Sequence, residues 1–206
     1  MFKSCNISYS AFPVCKSLAL PMIAEAFSFG TEMTDPVWQR AAWAEDIVTY
    51  PRNTIPEKPS RFAAFRTADA LCIGFFFTEA PADRTYQAQN GDSLRNRLWT
   101  GDLAELHFGA LEGTPWKSQL IVGIDGERFD FNDTFNAWDA KVFENEDGWG
   151  AEVRIPLELL NIDDNGTADI ADDKVATDFY ITFNANGQNK YRIQRKNADE
   201  LSIELT

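Results

Sequence analysis

The chain has 206 residues, enough for one large domain, with 44% hydrophobic and 13% aromatic residues to build a core. A formal net charge of −13 argues against nucleic acid and anionic membrane surfaces as partners, because a phosphate-binding face needs a basic patch. No apolar run reaches the length of a membrane span. Three cysteines, Cys5, Cys15 and Cys72, are too few for a disulfide framework or a metal cluster.

Residues 1–29 read as a lead-in segment or a first edge strand, and residues 30–206 as one domain. The run Leu18-Ala-Leu-Pro-Met-Ile23 before Ala24-Glu-Ala26 is a poor signal peptide, being short, preceded by polar residues and broken by Pro21. Asp35-Pro36-Val37-Trp38 has a capping residue followed by a first-turn proline, the start of a single helical turn. Three prolines between positions 50 and 60, Pro51, Pro56 and Pro59, make a loop. A strand over 62–66 is followed by one over 71–78, in which both alternating faces are apolar. The second strand is therefore central, buried on two sides, with Cys72 as a small core residue.

Residues 79–97 are polar and read as a long loop, the kind that carries function in compact domains. It delivers the chain to Trp99 and a Gly101-Asp102 turn. From Leu103 the side chains alternate, with Ala104, Leu106 and Phe108 on one face and Glu105 and His107 on the other. A flat aromatic beside a carboxylate is a sugar-binding combination: the indole stacks on C–H groups and the carboxylate accepts hydroxyl hydrogens. The same residues also read as a packed tryptophan, a turn aspartate and a solvated glutamate.

A strand over 117–124 ends at Asp125-Gly126, a two-residue hairpin signal. A second hairpin joins 141–144 to 149–155, where Trp149, Ala151, Val153 and Ile155 share one face and Glu152 and Arg154 the other. Asp163, Asp164, Asp169, Asp172 and Asp173 are hard-oxygen candidates for a structural calcium ion. Their spacing departs from the EF-hand pattern, and a solvated acidic loop is the competing reading. Strands over 179–184, 191–194 and 201–205 complete the domain. Many short strands with turns between them indicate an all-β antiparallel sandwich, jelly-roll or immunoglobulin-like, with short helical turns.

Catalytic motifs are sparse. His107 is the only histidine, so a Ser-His-Asp arrangement would have to pass through it, and no Gly-x-Ser-x-Gly turn presents a nucleophile. A non-enzyme is expected.

Three segments in order carry a family resemblance: Asp35-Pro-Val-Trp38, Trp99-Thr-Gly-Asp-Leu-Ala-Glu105, and Gly148-Trp-Gly-Ala-Glu-Val-Arg-Ile-Pro156. From about Gly30 onward the chain resembles the family 9 carbohydrate-binding modules and related DOMON-like sandwiches. The resemblance implies a β-sandwich that binds sugars without cleaving them, with a glycoside hydrolase as its usual partner. It also implies sugar contacts at Trp99, Glu105 and Gln119. Two features of the family are missing: its arginine falls at Ile121, and the late loop bearing its second tryptophan is absent. Trp116, Trp138 and Tyr191 are the candidate replacements for that second aromatic. Two other readings stand beside this one. One is a ligand-free scaffold. The other is a DOMON-like haem domain using His107 with Met22 or Met33.

Overall fold

The computed structural model describes residues 17–45, 60–88, 93–109, 118–130, 137–156, 162–163, 174–175, 178–184, 188–197 and 200–205; at 17–19, 95, 107–109, 118–119 and from 162 onward the description is of the backbone. Two antiparallel sheets account for most of it. The strands are β1 (Ser17–Ala19), β2 (Ala42–Ala44), β3 (Ser60–Arg66), β4 (Ala70–Thr78), β5 (Leu103–Gly109), β6 (Ser118–Gly123) and β7 (Arg128–Asp130). They continue with β8 (Asp139–Glu144), β9 (Gly148–Pro156), β10 (Ile162–Asp163), β11 (Lys174–Val175), β12 (Asp178–Asn184), β13 (Gln188–Asn197) and β14 (Glu200–Leu205). The larger sheet runs β1-β14-β13-β12-β5-β6-β7 and the smaller one β2-β3-β4-β9-β8, while β10 and β11 pair with each other. The all-β sandwich read from the sequence is the fold found.

Alternation along the strands builds the core between the sheets. The smaller sheet contributes Phe62, Leu71, Ile73, Phe75, Phe77, Trp149, Val153 and Ile155, and the larger one Ala104, Leu106, Leu120 and Val122. The rings of Phe77 and Trp149 lie 4.7 Å apart, and Phe75 meets Trp149 edge-on at 6.1 Å. At 25 cal/mol per Å² of buried apolar surface, each such ring contributes several kcal/mol.

Strand β4 is central and covered on both sides, as its two apolar faces require. Its outer side and that of β3 carry Ala63, Phe65, Ala70 and Cys72, which pack beneath Ile23, Val37 and Trp38. Residues 20–41 therefore form a lid on the smaller sheet. A 3₁₀ turn, Pro36–Arg40, is held at its start by the Asp35 carboxylate, which accepts from the Val37 N–H at 2.9 Å. The lead-in reading of residues 1–29 meets two observations here: β1 pairs with β14 at the sheet edge, and Leu20 and Ile23 are buried.

Two local details differ from the sequence reading. Within 79–97 the structure has a short α-helix, α1 (Leu94–Leu98), where a loop was expected. The β6–β7 connection is also longer than two residues. Gly123 N–H donates to Glu127 O at 2.9 Å and Gly126 N–H donates to Gly123 O at 2.9 Å. Gly126 takes φ +83°, so Ile124, Asp125 and Gly126 make a three-residue loop closed by a left-handed glycine.

Candidate functional site

Leu94 and Leu98, one helical turn apart, place α1 on the outer face of the larger sheet, over Leu103, Ile121 and Phe129. Arg97 clamps the helix to the β6–β7 turn, its Nη2 donating to Glu127 at 2.9 and 3.2 Å. Trp99, the residue that follows the helix, is 41% exposed. It is one of three exposed large hydrophobic residues among the described ones, with Tyr86 at 52% and Met22 at 51%.

The segment after Trp99 is bound to residues 85–88. Asp102 N–H donates to Thr85 O at 2.7 Å, and the Asp102 carboxylate accepts from Thr85 N–H at 2.8 Å. Ala88 N–H donates to Thr100 Oγ1 at 2.8 Å, and Gln87 Nε2 donates to Asp102 O at 2.8 Å. A Cβ added at Gly101 would stand 2.6 Å from Thr85 O and 2.8 Å from Gln87 N, so only glycine admits this approach. The expected Gly-Asp turn thus ties two loops together.

Glu105 follows on β5 and is 4% exposed. Its neighbours on β5, Ala104 and Leu106, face the core between the sheets, so Glu105 belongs to the outer face. By register Glu105 stands opposite Ile121 and Thr182, and Thr182 opposite Lys190. The adjacent row runs Gln119, His107, Tyr180, Arg192 and Glu204. Gln119 therefore shares the outer face with Glu105, one row away. The two rows are rich in hydrogen-bonding residue types, and by register they include two cations, Lys190 and Arg192. Ile121 itself packs under α1.

The three candidate replacement aromatics have different fates. Trp138 is 6% exposed and packs at the edge of the core, with the Arg128 guanidinium 5.2 Å over its ring, so it offers no open stacking face. Tyr191 pairs with Ile181, whose own partner is Leu106; that row is the core-side row, opposite Glu105. Trp116 lies outside the described residues, as do Asp164, Asp169, Asp172, Asp173, Cys5 and Cys15. Asp163 pairs with Lys174 in the β10–β11 ladder. Among the described residues, no group of three or more His, Cys, Asp or Glu residues is placed to hold a metal ion.

Tyr86 was missed by sequence reading because it sits in a polar run with no periodicity. Its Oη donates to Glu144 Oε2 at 2.6 Å, and accepting that bond lets Glu144 push the phenol pKa up. Arg84 donates to the same carboxylate oxygen at 3.1 Å and to the carbonyls of Glu79 at 3.1 Å, Gly148 at 2.8 Å and Asn145.

The haem ligands proposed from sequence lie on opposite sides of the sandwich. His107 is on the outer face of the larger sheet, whereas Met33 covers Gly74 of β4 on the outer face of the smaller one. Met22 bridges Arg66 of β3 in that same smaller sheet.

No protein-family model matches the sequence, and no curated protein matches it significantly. Solved structures do. The chain is similar to a family 9 carbohydrate-binding module from Caldicellulosiruptor kristjanssonii in complex with cellotriose, with 12% identity and a TM-score of 0.54, covering 90% of this chain and 82% of that one. It is also similar to a family 9 module from the same organism in complex with glucose, at 11% identity and a TM-score of 0.51, covering 90% and 83%. A candidate carbohydrate-binding protein from Bacteroides uniformis gives 12% identity and a TM-score of 0.50, covering 91% and 88%. The likeness is one of fold.

Proposed function

We propose that this chain is a non-catalytic carbohydrate-binding domain that takes a neutral sugar against Trp99, with Glu105 accepting its hydroxyl hydrogens. The observation that carries the reading is the exposure of Trp99 at the end of a helix braced on the outer face that holds Glu105. An exposed indole on a clamped support is pre-organised for stacking, so little side-chain entropy is lost on binding. Gln119, one row away on β6, is the amide expected to complete the hydroxyl contacts, and Arg192 and Lys190 are the cations in register to replace the absent arginine. The similarity in fold to modules solved with glucose and cellotriose supports the ligand class.

Each hydroxyl bond to the carboxylate contributes about 1.5–3 kcal/mol. With a single tryptophan in the site, a Kd of roughly 0.1–1 mM is expected. The test is calorimetric titration with a panel of neutral mono- and oligosaccharides, glucose and cellotriose first, on wild type and Trp99→Ala. Binding by wild type that disappears in Trp99→Ala, with an unchanged melting temperature, supports the reading. If no sugar binds wild type and Trp99→Ala unfolds, Trp99 is a packing residue and the domain is a scaffold.

A further inference from the structure

We propose that Tyr86 is a second stacking position, taking the neighbouring ring of an oligosaccharide whose first ring lies on Trp99. The proposal rests on the sugar-binding reading above and extends it to the length of ligand the site accepts. Three observations lead to it. Tyr86 is 52% exposed although its hydroxyl donates to Glu144. The hydrogen bond restrains the ring at its far end without burying it. The anchor is itself fixed: Glu144 also accepts from Arg84, and Arg84 is held by three backbone carbonyls.

The second observation is position. The Tyr86 backbone lies against Gly101, where an added Cβ would come within 2.8 Å of its carbonyl carbon. Trp99 is two residues from Gly101, at most about 7 Å of chain away. The hydrogen bonds exchanged between Asp102 and Thr85, and the one that Thr100 Oγ1 accepts from Ala88 N–H, tie the two ring-bearing segments together. Third, the chemistry around Tyr86 selects against anions: Glu144 is in contact with it, and the chain carries a net charge of −13. With the phenol proton committed to Glu144, the ring contributes its face rather than a hydroxyl. A neutral sugar ring with an apolar C–H face is what such a surface accepts.

The experiment compares a monosaccharide with its own trisaccharide, glucose with cellotriose and xylose with xylotriose, by calorimetry on wild type, Tyr86→Ala and Tyr86→Phe. Wild type should bind the trisaccharide more tightly than the monosaccharide. Tyr86→Ala should lower trisaccharide affinity roughly three- to tenfold, as loss of one stacking contact does, and leave monosaccharide affinity as it was. That unchanged value also shows that the Trp99 end is intact. Tyr86→Phe should stay within about twofold of wild type, since the ring remains. Equal wild-type affinities for mono- and trisaccharide, or an unchanged trisaccharide affinity in Tyr86→Ala, overturn the proposal and leave the Trp99 site standing. A Tyr86→Phe loss as large as that of Tyr86→Ala overturns the stacking role. If wild type binds none of the four sugars, the sugar-binding reading fails and this proposal fails with it.

Discussion

Glu152 is a fully buried carboxylate that sequence alternation placed beside Arg154 on the side of β9 away from the core. The lid over the smaller sheet explains its burial. Glu152 accepts from the N–H groups of Gly30 at 2.8 Å, Thr31 at 3.0 Å and Met33 at 2.6 Å. Glu32 and Met33 both take φ 58°, a left-handed path that aims successive N–H groups at one anion. Removing the carboxylate strands these donors, at about 1–3 kcal/mol for a buried unsatisfied group. Glu152→Ala should therefore cost about 3–5 kcal/mol in urea unfolding, with Glu152→Gln in between; an alanine variant as stable as wild type would refute this. Cys72, on the same outer face, is the other residue with a clear chemical consequence. Burial pushes its thiol up from 9.0 to about 12. A raised folded value means the neutral thiol favours the fold fully below the unfolded value, near 9, and that this contribution is lost as pH rises through about 12. Peptide mapping after alkylation should find Cys72 unmodified in the native protein at pH 8 and modified in urea.

At the level of elements, the joint between residues 85–88 and Gly101 decides how Trp99 and Tyr86 are presented. Gly101→Ala would drive a methyl group into the Thr85 carbonyl and the Gln87 nitrogen. Both are backbone atoms, so the loop must shift. We expect about 1–3 kcal/mol of destabilisation and faster amide exchange at Thr85 and Asp102, while β4 and β9 exchange as in wild type. Uniform exchange across the molecule would show that the joint is not a local clamp. How legible the elements were follows from their length. Strand β4, with nine residues apolar on both faces, announced itself, and so did β5 and β9 through strict alternation. Helix α1 did not, since five residues make little more than one turn and leave no 3.6-residue period to detect. Its stability comes from Leu94 and Leu98 meeting Leu103 and Ile121, contacts that exist only after the strands have paired.

At the scale of the whole molecule, the residues that hold the fold together were far more readable in the sequence than those proposed for a ligand site. Core residues are identified by type and period, so Leu71, Ile73, Phe75, Phe77, Val153 and Ile155 were all expected inside and are all buried. Site residues are identified by convergence of distant segments, which the pattern within one segment does not encode. Trp99 and Glu105 could be proposed from the sequence because only six positions separate them. Tyr86 could not be, because its link to Gly101 and Glu144 is made in space, and the register that aligns position 192 with Tyr180 and His107 arises only through two strand pairings. The distinction between fold and site residues gives a last prediction. Phe75 is fully buried against both Phe77 and Trp149, so Phe75→Ala should remove about 3–5 kcal/mol of unfolding free energy. Below its lowered melting temperature it should bind sugar as wild type does. Trp99→Ala should do the reverse, abolishing binding while shifting stability by no more than about 0.5 kcal/mol, as surface substitutions do. In the double variant the two effects should add, since the residues share no packing cluster. If Trp99→Ala instead costs as much as Phe75→Ala, or the two costs fail to add, the indole is part of the packed structure and the sugar-binding reading loses its platform.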